Sequence, residues 1–349
     1  MADTRVVPIG NVKYGLKAET TFGTALSTST AFITQPVIQA QKPVFNIQRE
    51  SRLLSGRGVV RHKSDTIVER KGGTVTMPFD MIATPKTLSQ HLALVGHNHS
   101  VSSNKHTETW LGSANATSTG GAVSSGLPHS VNVAWRPEAS EGIHMVGAVC
   151  SDLTISGDVG ANNGLISMSG NYFSGFTTAS VNEANFSGTF VAAETQYFNV
   201  LEIQTRTLDV EGNDTQTFIL KSFNFNFANG VNRVGFNASG DAEAYAYPEY
   251  TITGDLTIKY DSEFDYGAAN NVLNDFLGGA TMTLNMIVGD SAPDAAGEME
   301  ITAEIQYTGD PGLDFSENGL YHTLPFECVD DGSFACKTEV YQTDAITAW

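Results

Sequence analysis

Carboxylates are the side chains this sequence offers most freely for chemistry. It carries 38 Asp and Glu against 19 Lys and Arg, a formal net charge of −19 over 349 residues. Two carboxylates act as general acid and base only where different surroundings push their pKa values apart, and the local patterns point elsewhere. Asp330 and Asp331 stand beside Gly332 and read as turn residues. Asp261-Ser-Glu-Phe-Asp265 alternates carboxylates like part of a calcium loop, but lacks the glycine and the closing Glu at the needed spacing. A solvated strand end is the expectation there. No Gly-x-Ser-x-Gly elbow, phosphate-binding loop, dinucleotide glycine fingerprint or His-Glu-x-x-His is present. The chain is expected not to be an enzyme, and no catalytic, cofactor-binding or metal-ligating residue is assigned.

Histidine and cysteine give weaker signals. His91, His97, His99 and His106 fall in or near a Ser/Thr/Asn/Gly-rich stretch, 97–128, with Glu108 as the nearest acidic partner. A metal site needs ligands fixed by a second shell, so these read as loop histidines without ligand duty. Three cysteines are too few for a disulfide framework, and their odd number fits a reducing compartment. Cys328 and Cys336 could face each other across a hairpin turning at Asp331-Gly332-Ser333, either bridged or as two free thiols, the compartment favouring the thiols.

The elements that would carry these residues show an internal repeat. Tyr250-Thr-Ile-Thr-Gly-Asp-Leu-Thr-Ile-Lys-Tyr-Asp261 has a weaker copy in Arg70-Lys-Gly-Gly-Thr-Val-Thr-Met-Pro-Phe-Asp80, with Gly73, Val75, Met77, Phe79 and Asp80 all 181 residues before their counterparts. Both alternate apolar and polar residues with the period of a half-buried strand. A short helix follows each: Thr84-Pro85 caps one that ends at Gly96, and Ala268 to Leu277 forms another, with Val272, Leu273, Phe276 and Leu277 on one stripe. Upstream, Pro43-Val-Phe-Asn-Ile-Gln-Arg49 mirrors Ser222-Phe-Asn-Phe-Asn-Phe-Ala228 at an offset of 179. A period this long, present twice, predicts a domain duplication and not a solenoid.

The expected organisation is an N-terminal segment over 1–34, a first unit over 35–178, a connecting β hairpin over 179–217 and a second unit over 218–349. Each unit is mainly β, with a short α-helix and a long arm. The arms differ in charge. Arg49 to Lys71 holds Arg49, Arg52, Arg57, Arg61, Lys63, Arg70 and Lys71 against Glu50, Asp65 and Glu69, whereas Asn229 to Tyr250 holds Arg233 against Asp241, Glu243 and Glu249. The asymmetry extends further: residues 1–110 contain 13 Lys and Arg against 7 Asp and Glu, and the rest of the chain 6 against 31. So acidic a chain is not a general nucleic-acid binder. With 41% apolar residues, no apolar run of spanning length and no basic-then-apolar start, a soluble protein made in a cytoplasm is expected.

Three passages carry a resemblance: Lys17-Ala-Glu-Thr-Thr-Phe-Gly-Thr24, Ile67-Val-Glu-Arg-Lys-Gly-Gly73, and Thr253-Gly-Asp-Leu-Thr-Ile-Lys-Tyr-Asp261 with its following helix. Together they resemble a major tail tube protein of long-tailed, non-contractile bacteriophages, the siphophage tail tube family. The resemblance implies β-barrel or sandwich units that form rings, inner strands joined into one lumen wall, and rings stacked into a tube for DNA ejection. It implies no catalytic residues. A duplicated subunit would make a three-membered ring of pseudo-sixfold symmetry, the alternative being a hexamer. The implied partners are further copies, the tape-measure protein and the tail-terminator and tip proteins, with DNA passing without specific binding and no membrane. The implied location is the virion tail, after assembly in the host bacterial cytoplasm.

An acidic wall would repel phosphate, and Asp158, Asp209, Glu211, Asp255 and Glu263 are the candidates to face the lumen. Arg49, Arg52, Arg57, Arg61 and Lys63 are the candidates to lie on acidic surface of a neighbouring subunit in the next ring. Two other readings exist. A β-sandwich adhesin that binds carbohydrate would use aromatic platforms, with Trp110 and Trp135 in or near the 97–135 region, and a carboxylate glycosidase has only acidic abundance behind it.

Overall fold

Phe223, Phe225 and Phe227 alternate with Ser222, Asn224 and Asn226, and a strand so patterned must lay one face on a core. All three rings are buried. The computed structural model describes residues 12–342 except 20, 28–30, 39–40, 52–65, 111–129, 139–140, 185–188, 192–195, 211–214, 262–263, 265–271, 290–294 and 316–318.

The first half contains β1 (Lys13–Ala18), β2 (Ala31–Thr34), β3 (Val44–Ser51), β4 (Thr66–Ile82), α1 (Pro85–Val95), β5 (His99–Ser102), β6 (Lys105–Trp110), β7 (Val131–Glu138), β8 (Glu141–Asp158), β9 (Ser167–Ser174), β10 (Val181–Ala184) and β11 (Thr189–Val191). The second contains β12 (Ile203–Val210), β13 (Thr215–Thr217), β14 (Leu220–Ala228), β15 (Asn232–Phe236), β16 (Ala242–Ala246), β17 (Thr251–Lys259), α2 (Val272–Gly278), β18 (Thr281–Val288), β19 (Met299–Tyr307), β20 (Gly312–Asp314), β21 (Tyr321–Cys328) and β22 (Cys336–Tyr341).

One long antiparallel sheet runs β3–β4–β9–β8–β14–β17–β21–β20. The other strands form two groups. In the first half, β7 joins β1 to the early part of β8, with β2, β10 and β11 added at the margins. In the second, the order is β13–β12–β18–β19–β22–β6–β5. Side chains of the long sheet and of both groups share one core, in which Leu16, Met77, Met145, Phe225, Leu284 and Phe326 are buried together.

β8 and β19 each serve two sheets. β8 pairs with β7 up to Ala148 and then with β9 and β14; β19 pairs with β18 and β22 and ends against β21. Gly147 sits where β8 changes partners, at φ +59, and a Cβ there would lie 2.4 Å from the Phe176 ring. Only glycine fits such a position without strain.

Several expectations are corrected here. The long sheet is open, since β3 and β20 each have one strand partner among the described residues, so it is no closed barrel. The upstream match is displaced by one residue. Phe45 lies opposite Val75 and Phe223 opposite Leu256, so an offset of 181 between β4 and β17 aligns Phe45, not Val44, with Phe223. A one-residue slip exchanges the faces of a strand, and Val44 is 46% exposed. α1 is capped as expected by Thr84 and Thr87 and closed by Gly96. In α2 only Val272 is buried, and Leu277 is 72% exposed, so the expected stripe does not bury itself within one chain.

The stretch from 97 is not simply loop. β5 and β6 form a hairpin that pairs along β22, and its histidines are buried. The Asn98 amide donates to Glu108 Oε1 at 2.7 Å, Glu108 Oε2 lies 3.3 Å from His99 Nδ1, and His99 Nε2 lies 3.2 Å from His106 Nδ1. The His97 ring packs at a tilt of 45° against Tyr250, with centroids 4.4 Å apart. Burial pushes the Glu108 carboxyl up to about 8 and the His99 and His106 imidazoles down to about 4. Burial thus favours the neutral form of all three groups, and His99 and His106 are joined by a hydrogen bond between Nε2 and Nδ1.

These shifts set a pH dependence. His91 and His144 are also pushed down to about 4, and Glu19 up to about 7, in each case chiefly by burial. The unfolded chain protonates its histidines as pH falls through about 6.5 while the fold resists until about 4, so stability is lost over that window. The unfolded carboxyls ionise near 4.5 while Glu108 and Glu19 hold their protons to about 8 and 7, so stability is also lost as pH rises. The windows overlap, with four histidines set against two carboxyls, so thermal denaturation from pH 4 to 9 should show a maximum at about pH 6–7, where the histidine loss has ended, and Glu108→Gln should flatten the alkaline limb and leave the acid limb in place.

Candidate functional site

The middle of the long sheet is largely polar on the side away from the core, with Ile82, Pro78, Ala228 and Pro325 at the ends of its rungs, and beyond it Val149 and Phe173 carry the same face under the second arm. Its registers define rungs across neighbouring strands. One runs Asp80, Ser169, Thr154, Asn226, Thr253, Glu327. The next in one direction runs Ser167, Ser156, Asn224, Asp255, and in the other Pro78, Asn171, Asp152, Ala228. Short side chains along a rung bond to each other. Thr154 Oγ1 donates to Asn226 Oδ1 at 3.2 Å, the Ser156 and Ser167 hydroxyls lie 3.1 Å apart, and Asn171 Nδ2 donates to Asp152 Oδ1 at 3.0 Å.

Charge on this face is acidic. Asp80, Asp152, Asp158, Asp255, Asp314 and Glu327 stand against Lys221 and Lys259, and Lys221 Nζ is held 3.0 Å from Asp314. Burial raises the pKa of Asp255, and a hydrogen bond from Asn224 opposes the rise. Such a face offers hydroxyls and amides to water and repels anions within about one Debye length, ~8 Å at physiological salt.

Of the acidic candidates, Asp158 and Asp255 stand on this face. Asp209 stands on β12, outside the long sheet, where its Oδ2 accepts from Thr215. Glu211 and Glu263 lie outside the described residues. Asp80, Asp152, Asp314 and Glu327 were missed. Each is polar at a strand position whose neighbour points to the core, but which strands lie side by side is not written in local alternation.

The two arms differ in structure as well as charge. The first continues the sheet as a ribbon, with Gln48 opposite Glu69 and Ser51 opposite Thr66. Arg49 lies in that ribbon, while Arg52, Arg57, Arg61 and Lys63 fall outside the described residues. The second arm folds into the β15–β16 hairpin and docks on the first half of its own chain. Tyr245 donates its hydroxyl to the Gly147 carbonyl at 2.6 Å and accepts from the Gly175 amide at 2.8 Å. Arg233 Nη1 donates to the Gly73 carbonyl at 2.6 Å, and the Thr178 amide to Asp241 at 2.7 Å.

Lys17–Thr24 supports this seat from below. The Glu19 carboxylate accepts from the amides of Gly23 and Gly147 and from Ser130 and Asn132, at 2.6–2.9 Å. Phe22 packs edge-on against both Phe176 and Tyr245, with centroids 5.1 Å apart in each case.

Aromatic platforms for sugar are not found at the expected places. Trp110 is buried and stacks on Phe227, and Trp135 packs against the core. Groups of histidine, cysteine and carboxylate able to hold a metal ion do not occur among the described residues.

The Tyr245 hydroxyl joins two backbone groups that would otherwise be buried unpaired, at about 1–3 kcal/mol each. Tyr245→Phe should therefore speed amide hydrogen exchange in 232–246 selectively, with little change in the strands of the long sheet. Uniform acceleration across the chain would contradict a locally held arm.

Residues 10–328 match the family model described as phage tail tube protein. No curated protein matches the chain.

Proposed function

The chain belongs to the phage tail tube protein family, and from that premise we propose that three copies close into a ring whose long sheets join edge to edge around a lumen. As a member of that family it is a structural protein of the virion tail, not an enzyme. The observation that carries the ring is the composition of the long sheet. It divides into β3–β4–β9–β8 and β14–β17–β21–β20, two blocks with strands in corresponding chain order, joined by antiparallel pairing of β8 with β14. The groups behind them correspond as well: β1–β7–β8 in one half, β12–β18–β19 in the other. This supports the duplication read from the sequence.

A second seam, β20 of one copy against β3 of the next, would repeat the first and satisfy both open edges. Three copies of two blocks give pseudo-sixfold symmetry. The rungs of Ser, Thr, Asn and Asp then face the bore, where acidic charge keeps DNA from adhering during ejection. The basic ribbon of the first arm reaches acidic surface on the adjoining ring, so that rings stack into a tube between the tape-measure and terminator or tip proteins. Assembly takes place in the host cytoplasm.

Val44, 46% exposed, and Leu313, 37% exposed, lie on the two open edges. Charged side chains on an edge oppose strand addition. The double variant Val44→Lys, Leu313→Lys should sediment as a folded monomer and give no rings or tubes in negative stain, while the native chain gives rings of three copies by mass. Normal tubes from the variant, or rings of six copies, would reject the proposed seam. Separately, Arg52→Glu, Arg57→Glu, Arg61→Glu should leave rings intact but shorten tubes at fixed protein and salt concentration. Tubes of unchanged length would remove the first arm from the ring-to-ring contact.

A further inference from the structure

Cys328 and Cys336 do not face each other across a hairpin. β21 carries Cys328 to a position opposite Ile305, and β22 brings Cys336 in opposite Ala303, both along the same strand β19. The two partners on β19 are two residues apart, so the cysteines point to the same face and lie about 7 Å apart along the strand direction. Burial, and after it the neighbouring Cys328 thiol, hold the Cys336 thiol well above its usual range. Cys336 is buried, Cys328 is partly exposed, and both are free thiols. The segment between them, 329–335, turns tightly: the amides of Gly332 and Ser333 donate to the Asp330 and Asp331 carboxylates at 2.9 and 2.7 Å. The only other cysteine, Cys150, is buried in β8 with its thiol on the Asp152 carbonyl.

We propose that Cys328 and Cys336 are a redox-sensitive pair that closes to a disulfide once the protein leaves a reducing cytoplasm, stapling the long sheet to the group behind it at the corner made by β19. Two adjacent thiols on one face, one reachable from solvent and one shielded, suit stepwise exchange with a small-molecule disulfide. The Cys328 thiolate attacks one sulfur of that disulfide, forming a mixed disulfide and releasing one small thiol. Cys336, whose burial disfavours its thiolate, gives up its proton only as it attacks Cys328 Sγ and displaces the second small thiol, so this is the slower step. Two protein thiols lose two protons and two electrons, and one small disulfide becomes two thiols. The bridge closes a short loop between β21, in the long sheet, and β22, in the group behind it.

The test uses the full chain, incubated with oxidised or reduced glutathione and then denatured for thiol counting and peptide mass mapping. Oxidation should lower the count from three thiols to one, reduce the intact mass by two hydrogens and yield a single cross-linked peptide pair containing Cys328 and Cys336. The oxidised form should also unfold at higher denaturant than the reduced form, a shift reversed by dithiothreitol. Cys336→Ser should take up one glutathione at Cys328 and stop there, and Cys150→Ala should behave as the native chain. Three thiols persisting after oxidation, a linkage to Cys150, or failure of the Cys336→Ser variant to form the mixed disulfide would each overturn the proposal. None of these readouts depends on ring formation.

Discussion

Backbone amides and carbonyls at the edge of a sheet must find partners, and this constraint organises the molecule. The halves of the chain meet through it, because Asp152–Asp158 of β8 pairs with Ser222–Ala228 of β14 in one continuous ladder. The seam aligns the polar faces of the two blocks, so that Thr154 meets Asn226 and Ser156 meets Asn224. On the reverse side it brings Leu153 and Ile155 beside Phe225 and Phe227 in a shared core. A second joint lies behind it: β6, from the first half, pairs along β22, from the second. With two backbone seams between them, the halves are expected to unfold together.

The two arms take different routes. The second is tied to the first half by Tyr245, Arg233 and Asp241, and the passage around Glu19 and Phe22 holds its seat. A buried carboxyl with four donors and no cation beside it among the described residues is costly to ionise, which explains why this short passage is so constrained.

What could be read from the sequence depended on whether burial and polarity coincide. β14 and β17 were legible because Phe223, Phe225, Phe227, Leu256 and Ile258 are both apolar and buried. The β5–β6 hairpin was not, because its inward residues include His99, His106 and Glu108, whose alternation in Lys105–Trp110 carries little hydrophobic signal. The pairing of β3 slipped by one because Pro43, Val44 and Phe45 are consecutive apolar residues that leave the face undefined. The acidic face was half legible. Asp158 and Asp255 announced themselves as polar strand residues, but that Asp80, Asp152 and Glu327 join them and Asp209 does not follows from strand neighbours, which are set by long-range pairing.

The two blocks are not equal at their outer ends. β8 offers seven residues to β14, whereas β20 is a three-residue strand, Gly312–Asp314, with Phe315 78% exposed just beyond it. In a closed ring of three, joints within a chain would alternate with joints between chains that have less ladder to share. Were the proposed ring to form, it would be mechanically uneven. Its stiff arcs would move as rigid bodies, and bending or radial breathing of the bore would concentrate at three softer hinges, giving the wall a threefold compliance beneath its sixfold outline.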